Sequence, residues 1–129
     1  IDYGSGSGIL GIAALRLGAA SVSAIDTDPQ ALKATMDNAV KNNVNHQLTV
    51  CVPEDLDSDK ADVVIANILA EPLIELSSKL VSLLEKGGDL LLSGIMVSQQ
   101  SWVESAYVGK VRFLQRYSHD NWACLQGRK

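Results

Sequence analysis

Along the 129 residues the spacing of apolar positions switches repeatedly between helical and extended periods. Ile1 and Tyr3 end a short apolar start. Ile9, Ile12, Ala13, Leu15 and Leu17 then carry a helical pattern that predicts a helix from about Ile9 to Leu17, stopped at Gly18. Ser21 to Asp26 is a short apolar run ending in a carboxylate and reads as a second strand. Asp28 and Pro29 are an N-cap followed by the residue best suited to a first helical position, so a second helix runs from there to Asn42-Asn43. Gln47 to Val52 is a third strand, and the acidic stretch from Pro53 to Lys60 reads as a solvated loop.

The second half repeats the alternation. Ala61 to Asn67 is a continuous apolar strand, expected to be buried on both faces, that ends in a lone amide. Leu73, Ile74, Leu76, Leu80, Val81, Leu83 and Leu84 predict a helix ended by Lys86-Gly87-Gly88, and Asp89 to Ser93 a fifth strand. Gly94-Ile95-Met96 leads to another helix over Val97 to Tyr107. Val111 to Tyr117 and Asn121 to Gln126, joined by Ser118-His119-Asp120, predict an antiparallel hairpin. The expected fold class is therefore α/β: a Rossmann-like, doubly wound, mostly parallel seven-stranded sheet with a C-terminal antiparallel hairpin and a truncated first strand.

The candidate chemistry begins where the first strand meets the first helix. Asp2-Tyr3-Gly4-Ser5-Gly6-Ser7-Gly8 is a strand end, a glycine turn and a helix start. Glycine permits positive φ and close approach of a ligand to the backbone, and the first helical turn offers unpaired N–H groups. Counted from Gly6, the stretch through Gly11 satisfies the dinucleotide pattern G-x-G-x-x-G, with Asp26 twenty residues on. Counted from Asp2, it is acidic-x-Gly-x-Gly-x-Gly, the loop of methyltransferases that bind S-adenosylmethionine. Both patterns place Asp26 where a carboxylate accepts hydrogen bonds from ribose hydroxyls, so the loop alone leaves both open.

Composition narrows the classes. A chain of this length with 47% hydrophobic residues makes one α/β domain, and a net charge of −4 argues against a direct nucleic-acid footprint. Cys51 and Cys124 stand apart, and His46 and His119 form no ligand cluster, so free thiols, a reducing compartment and no metal are expected. No membrane span and no secretory leader are read, and the expected location is cytoplasmic. With no initiator Met and three residues before the first glycine, the chain is expected to be the C-terminal part of a longer protein. Trp102 and Trp122 are expected as packing aromatics, Met96 as a gap filler and Cys124 as a buried, inert thiol.

The terminal hairpin, the acidic residue ahead of the glycines and an Asn closing the fourth strand together resemble class I S-adenosylmethionine-dependent methyltransferases. More closely, Asp2 to Leu10, Ile25 to Ala31, Asp37-Asn38-Ala39, Ala61 to Ala70 with its Asn67-Ile68-Leu69-Ala70, and Leu92 to Ile95 resemble the PrmA family of ribosomal protein methyltransferases. The resemblance covers almost the whole chain. It implies one S-adenosylmethionine-binding domain over residues 1–129, with the substrate-recognition domain of the family absent. Gly4, Gly6 and Gly8 would meet the amino-acid end and ribose of the cofactor, Asp26 the ribose hydroxyls, and Asn67 would sit beside the reacting methyl group as cofactor contact and catalytic residue. The implied partner is a large-subunit ribosomal protein, methylated at its N-terminal α-amine and lysine side chains, with Ile68, Leu69 and Ala70 as an apolar wall. Asn67 is not followed by the Pro-Pro-aromatic segment of nucleobase and glutamine methyltransferases, which argues against a flipped base. Three alternatives stay open: a methyltransferase with another substrate, an NAD(P)-dependent oxidoreductase, and a cofactor-binding domain without turnover. No oligomeric state is read from the sequence.

Overall fold

The computed structural model describes residues 1–57 and 60–129. The acidic loop expected over Pro53 to Lys60 lies in part outside the described residues. Contacts divide the chain into two units, Ile1–Asp57 and Ser58–Lys129.

The first unit holds β1 (Asp2–Tyr3), α1 (Ile9–Arg16), β2 (Val22–Ile25), α2 (Pro29–Lys41) and β3 (Leu48–Cys51), with a 3₁₀ turn at Asn45–Gln47. Its strands run parallel in the order β3-β2-β1, with Asp2 beside Ala24 and Ile25 beside Cys51. Asp28 caps α2 by accepting the Gln30 N–H at 2.8 Å, and Pro29 opens the helix. Gly18, at φ 109°, ends α1, because a side chain there would be strained. Ile12, Leu15, Val22, Ala24, Ala39, Val44 and Leu48 form the core between α1, α2 and the strands.

The second unit holds β4 (Ala61–Asn67), α3 (Ala70–Glu75), α4 (Ser77–Ser82), β5 (Leu84–Met96), α5 (Gln100–Ser105), β6 (Arg112–His119) and β7 (Trp122–Arg128), with a 3₁₀ turn at Val97–Gln99. The order is β4-β5-β7-β6: β4 and β5 are parallel, and β7 is antiparallel to both neighbours. Asp89 and Arg128, opposite each other on β5 and β7, form a two-pronged ion pair at 2.9 Å. Tyr107 is fully buried beyond α5, donates its hydroxyl to the Leu73 carbonyl at 2.7 Å and meets Phe113 edge-on. The seven strands of the expected class are present, three in one unit and four in the other.

Four expectations are corrected. Val64 and Ala66 on β4 are fully buried while Val63 is 39% exposed, so the strand is buried on one face; an unbroken apolar run does not say how many faces are covered. The helix expected over Leu73 to Leu84 is two short helices meeting at Leu76, just ahead of Ser77 and Ser78, whose hydroxyl oxygens accept from Lys110 Nζ at 3.1 and 3.0 Å, and Leu84 already belongs to β5. Gly87, at φ 82°, ends no helix: it lies inside β5, where the β4–β5 ladder shifts register. The hairpin turn is Asp120-Asn121, both at positive φ, as a two-residue type I′ connection requires.

Candidate active site

The glycine loop is built by backbone conformations that side chains disfavour. Gly4, Gly6 and Gly8 take φ of 80°, 56° and 79°. The Gly4 and Ser5 N–H groups both donate to the Ile25 carbonyl, and the Gly8 N–H donates to Ser5, which winds the chain into α1. Gly11 has a different use. A Cβ there would meet Val22 at 3.0 Å and Asp2 at 3.2 Å, so it lets α1 pack close to β1 and β2.

Asp26, just past β2, closes this cradle. Its Oδ2 accepts the Gly6 N–H at 2.8 Å and its Oδ1 the Asp28 N–H at 3.1 Å. The structure thus brings Gly4, Gly6, Gly8 and Asp26 together, and Asp26 ties the loop to the start of α2. Each carboxylate oxygen uses one of its lone pairs on the backbone and keeps another for a ligand hydroxyl.

Asp2, the acidic residue ahead of the glycines in the sequence pattern, sits against the start of α1. It is 1% exposed, and its Oδ2 accepts the Gly11 N–H at 2.9 Å. Its Oδ1 is buried with no hydrogen-bond partner among the described residues. Burial pushes the carboxyl above its ordinary value, against the lowering effect of the Gly11 N–H. The signal in the sequence is the carboxylate two residues before the first glycine, at a position where a buried strand asks for an apolar residue.

Asn67, in the second unit, ends β4 opposite Ser93 of β5. It lines a pocket of about 490 Å³ together with Ile68, Leu69, Ser93, Gly94 and Trp122. Gly94, at φ 81°, sits where the β5–β7 ladder shifts register, and a Cβ on it would stand 2.6 Å from the Ile68 carbonyl and 2.9 Å from Asn67 Oδ1. The missing side chain therefore lets the β4 end fold over β5. Among the described residues the Asn67 amide has no hydrogen-bond partner, and no lining residue is ionisable. The pocket can orient a polar group, and its described lining residues include no general base.

The wall differs from the expected one. Ile68 and Leu69 line it, whereas Ala70 begins α3 and is buried. Trp122 is 52% exposed and contributes to the lining, so it is not a packing aromatic. Trp102 and Met96 are likewise half exposed. Hairpin alternation predicts a strand here, but not that its first residue borders a cavity. Cys124 is half-buried rather than buried, and burial raises its thiol.

The family model described as ribosomal protein L11 methyltransferase (PrmA) matches residues 1–129. The chain belongs to that family. A relative of that name from Saccharophagus degradans is 45% identical over 130 residues, covering all of this chain, and one from Vibrio cholerae is 48% identical over the same length. The chain spans 44% of the length of these relatives. A solved ribosomal protein L11 methylase from Lactobacillus delbrueckii subsp. bulgaricus is 35% identical, with a TM-score of 0.91 over 99% of this chain and 68% of that one. An RNA methyltransferase from Salinibacter ruber, solved with S-adenosyl-L-homocysteine, has a TM-score of 0.77 at 20% identity, over 98% of this chain and 77% of that one, a likeness of fold alone. The fold is that of Rossmann-like methyltransferases. Among the described residues no helix is long and apolar enough to cross a membrane.

Proposed function

We propose that residues 1–129 are one S-adenosylmethionine-binding domain of a cytoplasmic protein methyltransferase, which transfers methyl groups to the N-terminal α-amine and lysine side chains of ribosomal protein L11. The observation that carries the reading is the glycine loop closed on Asp26, in a chain that matches the family model from end to end. The residues fit the cofactor's chemistry: positive-φ glycines expose the backbone, Asp26 keeps lone pairs for ribose hydroxyls, and the unpartnered Asp2 Oδ1 suits a cationic amino group.

Bound there, S-adenosylmethionine supplies a methyl group on a positively charged sulfur. The rest is positioning by the chain. Gly4, Gly6, Gly8 and Asp26 fix the cofactor, and the Asn67 side-chain oxygen accepts a hydrogen bond from the incoming amine and so aims its lone pair. A lysine amine, with a reference pKa of about 10.4, must arrive neutral, and no ionisable group lines the pocket to take its proton. The proton therefore leaves to water before the amine enters. Ile68, Leu69 and Trp122 give the pocket walls that favour the neutral amine.

Titration calorimetry of the complete polypeptide with S-adenosylhomocysteine, and in parallel with NADH, tests this reading. Binding of the first and not of the second is expected, followed by methylation of the ribosomal protein in an assay with S-adenosylmethionine. Binding of NADH alone would overturn it.

A further inference from the structure

Thr35 is a hydroxyl residue in the middle of α2, fully buried at 0% exposure. In a helix such a hydroxyl ordinarily bonds the carbonyl one turn back. Here Thr35 Oγ1 instead reaches across to the glycine loop, donating to the Gly6 carbonyl at 3.1 Å. Its single proton is spent there, so the contact with Ser5 Oγ at 3.3 Å has the Ser5 hydroxyl as donor. One helical turn on, Asn38 Nδ2 donates to the Ser7 carbonyl at 2.9 Å. The approach is as close as it can be, because a Cβ on Gly8 would stand 2.8 Å from Thr35 Cγ2.

We propose that Thr35 and Asn38 are positioning residues for the cofactor cradle, an inference that rests on the function proposed above. Two consecutive carbonyls, of Gly6 and Ser7, are held toward α2 by side chains one helical turn apart. A peptide unit is planar, so holding its carbonyl also fixes where the following N–H points. The clamp thus sets the Ser7 and Gly8 amides. The N–H groups of Ser7, Ile9 and Leu10 carry no hydrogen bond among the described residues and are left as donors for a ligand. Neither residue needs to touch the cofactor. Each acts through the loop.

The test compares Thr35→Val, which keeps the volume and removes the hydroxyl, with Thr35→Ser, which keeps the hydroxyl and opens a methyl-sized hole, and adds Asn38→Ala. In the complete polypeptide, S-adenosylhomocysteine affinity falls about tenfold in Thr35→Val and severalfold in Asn38→Ala, and Thr35→Ser restores it to within about threefold of the parent. A packing role alone predicts the reverse order, with Thr35→Ser the worse variant in affinity as in thermal midpoint. Amide hydrogen exchange of residues 4–11 without ligand gives the second readout: it quickens in Thr35→Val and Asn38→Ala and not in Thr35→Ser. Unchanged affinity together with unchanged loop exchange in Asn38→Ala overturns the clamp even if Thr35→Val fails to fold. A parent protein that binds no S-adenosylhomocysteine but shows the exchange pattern overturns the proposed function and leaves the clamp standing.

Discussion

The Gly6 amide donates to Asp26 Oδ2 at 2.8 Å, joining two residues twenty positions apart and closing the glycine loop onto the end of β2. Asp26 therefore holds the loop, and in the proposed function its remaining lone pairs go to the ribose hydroxyls of the cofactor. Asp26→Ala removes both, and S-adenosylhomocysteine affinity should fall by more than tenfold, consistent with about 1.5–3 kcal/mol for hydrogen bonds to a charged acceptor. Asp26→Asn keeps one acceptor and should lose less. Calorimetry that finds Asp26→Ala unchanged would remove the residue from the site.

Asn67 ends β4 beside Gly94, its amide without a hydrogen-bond partner among the described residues. A residue that aims the incoming amine contributes in the transition state more than in cofactor binding. Asn67→Ala should lower kcat by tenfold or more while S-adenosylhomocysteine affinity shifts by less than about threefold. Equal losses in both would show that Asn67 only binds.

Gly94 lets Asn67 lie where it does. At φ 81°, with a Cβ placed 2.6 Å from the Ile68 carbonyl, Gly94→Ala carries both strain and a clash. Its urea midpoint should drop, by more than about 1 kcal/mol of stability, and turnover should drop with it. A variant as stable and as active as the parent would show that the β4 end repositions freely.

Asp2 predicts a pH effect whose sign follows from burial. Its folded pKa is raised, so its contribution to stability is full below its ordinary value of 3.8 and is lost as the pH climbs through the raised folded value. At neutral pH the ionised, buried carboxylate costs stability. Asp2→Asn should therefore raise the thermal midpoint at pH 7 relative to the parent, narrow the difference toward pH 3, and weaken S-adenosylhomocysteine binding because a neutral amide no longer pairs with a cationic group. Thermal melts across pH 3–8 and calorimetry at pH 7 check it; a lower midpoint at pH 7 would mean that the Gly11 hydrogen bond outweighs the burial.

Several features follow from near neighbours in the chain and are legible in the residues alone. The Asp28-Pro29 start of α2, the positive-φ glycines ahead of α1 and the carboxylate at the end of β2 are local chemistry, since caps, turns and strand ends depend on residues a few positions apart. The hairpin is legible for the same reason, although its turn falls at Asp120-Asn121. What depends on residues far apart is set by packing and shows only in the folded chain. Thr35 bonds the Gly6 carbonyl across 29 positions, and Gly94 has no room for a side chain because Asn67, the last residue of β4, and Ile68 just after it lie against it. The same holds for β4, whose apolar run is covered on one face, and for Trp122, a strand residue that borders the Asn67 pocket. Hydrophobic period tells which residues share a face. It does not tell which neighbour, cavity or solvent that face meets, because those are set by packing among distant segments.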